Sequence, residues 1–472
     1  MNTKLTWAAL LLAATSCAPR TEAPEGTTDT DPFPEAQQII DNIALTHFAD
    51  RTLTLTFPTS AGDSALHVDT LQTLQALLDS CSGLGGGHVV VPAGTYPLNG
   101  PLNLRSNVDL HLDEGATLRF SGRPDDFLPV RLTRWEGTEL YGRSPMIYAY
   151  QAVNVAITGR GTIDAQAGLE FGDWGPKEAA DVDRLRAMGG DEMTPVRERV
   201  FGEGTGLRPS CIQFWGCSRV LVEEVTVRNS PFWTIHPVYC DNVVVRGVTI
   251  DSHFPNNDGC DPESTTNVLI ENCTFRTGDD AIAIKAGRDA DGRRVGRPSG
   301  NIVIRNCKFY SECNGLCIGS EMSGGVEGVY MHDIEIGTVK NAIYFKSNRD
   351  RGGYIRHVRV RDITVERTYG AILRFETNYF GYRGGLNNTL YEDFEIENVE
   401  AGTSDRYALF MDGYDEQPIR DIAIRNFHVG EATHAAYFRC TSGVTLEDVT
   451  VAGDTLPAQP ENAVERVLLD TY

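Results

Sequence analysis

Apolar and polar residues alternate in one short phrase that returns along the second half of the chain. It reads Val220-Leu-Val-Glu-Glu-Val-Thr-Val227, then Val243-Val-Val-Arg-Gly-Val-Thr-Ile250, Val268-Leu-Ile-Glu-Asn-Cys-Thr-Phe275 and Ile302-Val-Ile-Arg-Asn-Cys-Lys-Phe309. Further copies start at Val329, Val358, Phe394, Ile422 and Val444, about 22 to 36 residues apart. Alternation with period two and β-branched residues predicts strands, and a repeat of this length predicts a solenoid. Helical periodicity is missing across this half.

The fifth residue after each start is apolar: Val225, Val248, Cys273, Cys307, Ile334, Ile363, Val399, Phe427 and Val449. This column should point inward, which makes Cys273 and Cys307 buried thiols rather than ligands or disulfide partners. The residue before it is Glu224, Gly247 or an Asn or Asp (Asn272, Asn306, Asp333, Asp362, Asn398, Asn426, Asp448), the composition of a bend with stacked side-chain amides. A second strand follows in most coils, as in Asp280-Ala-Ile-Ala-Ile-Lys285, Asn314-Gly-Leu-Cys-Ile-Gly319 and Asn341-Ala-Ile-Tyr-Phe-Lys346. Two or three strands per coil without an intervening helix predict an all-β chain, a parallel β-helix. The pattern does not give its hand.

The first half carries the theme more loosely, at residues 89–96, 108–112 and 153–163. Residues 68–81 read as a helix that could cap the N-terminal end of the solenoid. Residues 165–207 break the period and read as a large loop with a short helix near 179–188. Residues 1–17 read as a signal peptide: Lys4, an apolar run over 5–14, then Thr15-Ser16-Cys17. Cys17 sits as in a lipobox, so lipidation there is expected, with 18–50 as tether and extension and 51–472 as the β-helix domain. These features predict an exported, monomeric bacterial protein, periplasmic or anchored to the outer membrane, meeting the membrane only through that lipid.

The chain of 472 residues has a net charge of −23, which argues against a nucleic-acid partner. An anionic substrate would need basic residues gathered locally. Against this background one acidic constellation stands out: Asn256-Asn257-Asp258-Gly259-Cys260-Asp261, followed by Gly278-Asp279-Asp280. Like charges placed together raise at least one pKa, a cost tolerated mainly where an acid and a base are both needed. Taken alone, Asp258 could simply shape an Asx turn. Coils stack about 4.8 Å apart, so Asp258 is expected one coil from Asp280, with Asp279 beside them and Asn314 and Asn341 in the same column. Lys346 falls in register with Lys285, and Tyr344 precedes it on the same face. Two carboxyl groups suit glycoside hydrolysis, one protonating the leaving oxygen and one activating water. Lys346, Arg349 and Arg351 make this stretch basic, which would suit an anionic sugar chain.

These motifs resemble glycoside hydrolase family 28, the polygalacturonase family, over roughly residues 50–451. Its Asn-Thr-Asp appears as Asn256-Asn257-Asp258, its Asp-Asp pair as Asp279-Asp280, its Gly-His-Gly segment as Cys313-Asn314-Gly315, and its Arg-Ile-Lys as Tyr344-Phe345-Lys346. Segments such as Leu207-Arg208-Pro209 and Ser320-Glu-Met-Ser-Gly-Gly325 resemble bacterial members. The resemblance implies a right-handed parallel β-helix and inverting hydrolysis of a pectic, anionic plant cell-wall polysaccharide or oligosaccharide. Asp279 would be the general acid, and Asp258 with Asp280 would hold the attacking water. It implies no metal and no cofactor. Lys346, Asn256, Asp261, Asn314, Tyr344, Arg349 and His236 are candidate substrate-binding residues; Asp261, Asn314 and His236 also have purely structural readings.

Two departures bear on substrate. Asn314 stands where the family has His, and Tyr344 where it has Arg. They shift the expectation from plain polygalacturonate toward rhamnogalacturonan, a decorated pectin fragment or another uronic-acid oligosaccharide. The large loop could close the groove and favour release of terminal sugars. Two other readings stay open: a β-helical lyase using Lys285 or Lys346 as base with a Ca²⁺-binding acid cluster, and a non-catalytic sugar-binding solenoid.

Overall fold

The computed structural model describes residues 31–56, 69–168, 170–171, 174–190 and 192–467. The signal peptide, Cys17 and the first part of the tether lie outside the described residues. The chain is a right-handed parallel β-helix. The repeated phrase stacks in register from coil to coil: Val108 on Val155, then Val220, Val243, Val268, Ile302, Val329, Val358, Phe394, Ile422 and Val444. Its apolar column, from Val225 to Val449, is buried throughout. Cys273 and Cys307 are 1 % exposed, and every described cysteine is a free thiol.

The bend column also takes the form that its composition demands. Every residue from Glu224 to Asp448 in this column has a positive φ, between 49° and 64°. That left-handed region is open to Gly and least costly for Asn and Asp among the rest. The side chains ladder between coils, with Asn398 Nδ2 donating to Asp362 Oδ1 at 2.8 Å and Asn426 Nδ2 to Asn398 Oδ1 at 3.0 Å. A second such column, through Asn242, Asn267, Asn301, His357 and Asp393, turns the coil into the repeated phrase.

Helix α1 (Pro34–Asn42) and helix α2 (Thr70–Gly83) precede the main stack. Asp69 caps α2 by accepting from the Gln72 amide at 3.2 Å, and Leu74, Leu78 and Cys81 bury its inner face over the first coils. Residues 31–50 are not a free tether. Ala36 and Ile43 pack on Val244, Leu269, Val303 and Tyr330, and Asp31 pairs with His332 at 2.8 Å. The ordered body therefore begins ahead of residue 51. At the other end, residues 454–467 fold back over the last coil through Leu456 and Ala463.

The 165–207 insertion carries helix α3 (Gly175–Gly190) and docks on an antiparallel hairpin, Arg131–Trp135 with Thr138–Gly142. Val200–Phe201 adds to that hairpin as a third strand. Trp135, Leu140, Leu185, Phe201, Leu207, Phe232 and Trp233 form a small separate core. Helix α4 (Asp289–Val295) locks onto it: Asp291 accepts from the Glu139 amide at 3.0 Å and from Arg199 at 2.8 Å. A wall of non-repeating structure thus stands on one sheet of the solenoid.

Candidate active site

That sheet runs in register through Ile147, Ile212, Ile235, Cys260, Ile282, Leu316, Ile343, Leu373 and Leu409. The Cys260–Ile282 pairing puts Asp258 opposite Asp280, and Asn314 pairs with Asn341, as the repeat predicts. The Gly residues beside the acids permit the close approach. A Cβ on Gly259 would lie 2.3 Å from the Phe275 ring, and one on Gly278 would lie 2.6 Å from the Phe254 carbonyl oxygen. Asn257 bolts the two acidic turns together, donating to Ser252 Oγ at 2.7 Å and accepting from the Gly278 amide at 3.0 Å.

The carboxylates are not equivalent. Asp279 borders the cavity and is only partly buried; its oxygens accept from the amides of Asp280 at 2.9 Å and Asn256 at 3.2 Å. Burial and then the Asp280 charge raise its pKa. Asp280 is 1 % exposed and accepts from Lys346 Nζ at 2.8 Å and Asn314 Nδ2 at 2.6 Å. Burial opposes its ionisation, but Lys346 and Lys285 outweigh it and hold this carboxyl below its usual range. Asp258, 3.8 Å from Lys285 Nζ, is pushed well up by burial and by Asp279. Asp261 is fully buried behind it, and neither carboxylate oxygen meets a protein donor. Burial and then the Asp258 charge raise its pKa well above normal. The two neighbouring carboxyls are thus shifted in opposite directions, Asp279 toward the protonated form and Asp280 toward the ionised one.

The cavity measures about 130 Å³ and carries Asn256, Asp258, Asp279, Asp280, Asn314, Tyr344 and Lys346 of the residues expected from sequence. Asn256 holds the site through its backbone, while its side chain accepts from Arg208 at 2.7 Å. Asn314 links Asp280 to Asn341, which donates to its carbonyl oxygen at 2.7 Å, so the amide column ends on the base. The Tyr344 hydroxyl donates to Glu376.

Three expected binding residues do not reach the cavity, among them Asp261, which is fully buried behind Asp258. Arg349 lies past the end of its strand, where the chain turns away, and pairs with Glu416 at 2.6 Å over the Tyr414 ring. His236 is fully buried behind Trp233, with Nε2 at 2.9 Å from Glu263 and Nδ1 at 3.0 Å from Gln213. Its neighbours keep it as an internal strut.

Other residues of the cavity were not singled out from sequence. Glu136, at the hairpin tip, meets Arg186 of α3 at 2.8 Å and Arg288 at 2.7 Å. Glu321 takes Lys285 at 3.1 Å and Arg288 at 3.2 Å; burial opposes its charge, yet these cations hold it well below the usual range. Trp233 places its ring 4.6 Å from Lys285 Nζ. Arg374, Lys340, Tyr379 and Phe380 complete the rim. Column register could have revealed Arg374, which pairs with Tyr344. The Glu136 contact comes from a non-repeating hairpin and has no periodic signal.

Burial works against the ammonium forms of Lys285 and Lys346, but Glu321 and Asp280 respectively dominate and raise both. Charged lysines are poorly suited to the base role that a lyase would give them. Donor atoms of Asp279, Asp280 and Cys313 lie within 4.8 Å of one another, a set that could accept a cation. The Lys346 ammonium already supplies positive charge at that place.

An acid and a base on adjacent positions of a β-helical groove define a glycosidase. The family model "Glycosyl hydrolases family 28" matches residues 198–453. An exopolygalacturonase from Thermotoga maritima is 36 % identical, with a TM-score of 0.84 over 89 % of this chain and 96 % of its own. A Vitis vinifera protein named "Probable polygalacturonase" is 29 % identical, over 84 % of this chain and 78 % of its own length. A polygalacturonase from Erwinia carotovora ssp. carotovora, 23 % identical, shares the fold at a TM-score of 0.62 over 87 % of this chain and 98 % of its own. The chain belongs to glycosyl hydrolase family 28.

Proposed function

We propose that the protein is an exo-acting, inverting hydrolase of galacturonic-acid chains. The observation that carries this is the Asp279–Asp280 division of labour under a cationic rim. Six cations border the cavity (Arg186, Lys285, Arg288, Lys340, Lys346 and Arg374) in a chain whose net charge is −23. Asp279 gives its proton to the glycosidic oxygen. Asp280 takes a proton from water, and that water attacks the anomeric carbon from the opposite side. Lys346 favours the ionised form of Asp280, and Asp258 supplies a polar wall to the water site, backed by Asp261.

The wall supports terminal attack. Glu136, Arg186 and Arg288 tie the hairpin, α3 and α4 together across one end of the groove. The similarity to the Thermotoga maritima exopolygalacturonase supports the same reading. Asn314, the departure that pointed toward decorated pectin, holds the base directly, so it is compatible with unsubstituted galacturonan. Chromatography of products from oligogalacturonates tests the proposal: single sugars should appear from the first time points. A ladder of intermediate oligomers, with a rapid fall in the viscosity of long chains, would argue for internal cutting.

We infer from residues 5–17 an exported lipoprotein carrying lipid on Cys17, and a monomer. Cys17→Ser should move the protein from the membrane to the soluble fraction, where light scattering should give the mass of one chain.

A further inference from the structure

Arg374 lies one coil beyond Tyr344, in direct register with it. It is 2 % exposed yet borders the catalytic cavity. The guanidinium sits between the rings of Tyr344 and Phe410, with centroids 4.8 and 5.5 Å from Cζ. Its anionic neighbour is Glu376, whose Oε2 is 2.8 Å from Nη2 and also accepts from the Tyr344 hydroxyl. That contact is an ion pair without hydrogen-bond alignment, because Nε and Nη2 are buried and make no hydrogen bond.

Buried donors left without acceptors are unfavourable and call for an explanation. The other cavity arginines are better engaged: Arg186 and Arg288 both donate to Glu136 and leave only Nε without a partner, against Nε and Nη2 of Arg374. Lys346 is committed to Asp280. Arg374 therefore combines a rigid donor fork, stacked rings that fix its plane, and unanswered N–H groups beside the catalytic acids. A carboxylate matches such a fork with two parallel hydrogen bonds, and every sugar of a galacturonan chain carries one.

We propose that Arg374 is a specificity-determining residue that binds the carboxylate of a substrate sugar adjoining the cleaved bond. This rests on the galacturonan-hydrolase reading. It makes the enzyme discriminate a free uronic acid from its methyl ester at that position. The ester is neutral and cannot accept the fork as an anion.

The test is steady-state kinetics on trigalacturonate and on its methyl ester, for the native protein, Arg374→Lys and Arg374→Met. For the Met variant, KM for the acid should rise about 10- to 100-fold, the range expected on losing charged hydrogen bonds. Its kcat, and its KM on the ester, should stay within about threefold. Arg374→Lys should recover part of the preference, because it keeps the charge and loses the fork. If the Met variant does not fold by melting temperature, the Lys variant decides: its KM should rise for the acid alone. Equal losses on both substrates, or an unchanged acid preference, would overturn the assignment. Failure of the native protein to hydrolyse trigalacturonate would instead sink the hydrolase reading, and this one with it.

Discussion

Lys346 Nζ donates to Asp280 Oδ2 at 2.8 Å across two turns of the solenoid. The two residues are 66 positions apart in sequence. Coil stacking alone brings them together, through Asn314 and the intervening strand. This contact separates Asp280 from Asp279 chemically: one carboxyl has its pKa lowered, while that of its sequence neighbour is raised.

The separation predicts a bell-shaped pH profile of kcat. Asp280 must be ionised, so activity falls as pH drops through its lowered pKa. Asp279 must be protonated, so activity falls as pH rises through its raised pKa. Lys346→Met should move the acidic limb to higher pH by more than the alkaline limb, because Lys346 is the larger stabiliser of the Asp280 charge. An unmoved acidic limb would refute the role of this lysine.

Asp279→Asn keeps the shape of the side chain and removes its proton. Turnover should fall by about 10²- to 10⁴-fold, with the circular dichroism spectrum and melting temperature preserved. Reducing-sugar release measures the first and thermal scans the second. A non-catalytic sugar-binding solenoid would show no such dependence.

Asp261 offers a test through stability. Its carboxylate oxygens meet no protein donor, and its folded pKa is raised. Its favourable contribution is full below the unfolded value, near 3.9, and is lost as pH rises through the folded value. Asp261→Asn should therefore raise the apparent melting temperature at pH 8, corresponding to about 1–3 kcal/mol, and leave it nearly unchanged at pH 4. An equal gain at both pH values would contradict the raised pKa of Asp261.

The N-terminal segment gives the opposite sign. Burial opposes charge on both Asp31 and His332, but their mutual hydrogen bond lowers the first and raises the second. The His332 contribution is full below about 6.5 and fades as pH rises through its folded pKa; that of Asp31 is full above about 3.9. Asp31→Asn should lower the melting temperature more at pH 5.5 than at pH 9.

Glu136 tests the wall. Glu136→Ala removes the anion shared by Arg186 and Arg288. The hairpin tip should loosen, and products from long galacturonan should shift from single sugars toward short oligomers. An unchanged product profile would place the closure elsewhere.

The repeat made the solenoid legible because one physical rule acts at every coil. Positions 225, 248, 273 and their successors must be apolar to fill the core, and the residue before each must tolerate a left-handed backbone. Asn272, Asn306 and Asp362 recorded that requirement in plain view. The same period carried Asp258 onto Asp280 and Asn314 onto Asn341. It failed where the chain leaves the coil. Arg349 follows Lys346 closely in sequence, but the strand has ended and the side chain turns to Glu416. Glu136 reaches the site from an antiparallel hairpin that repeats nothing. Arg374 obeyed the register, but a shift between Val339 and Asn341 offsets its strand from the simple count.

The account rests on Asp280 activating water while Asp279 protonates the leaving oxygen. Proton NMR of the first product released from an oligogalacturonate tests this most directly. The account predicts that the fresh sugar has the anomeric configuration opposite to that of the bond cleaved. Retention at the earliest time points, before mutarotation, would contradict it.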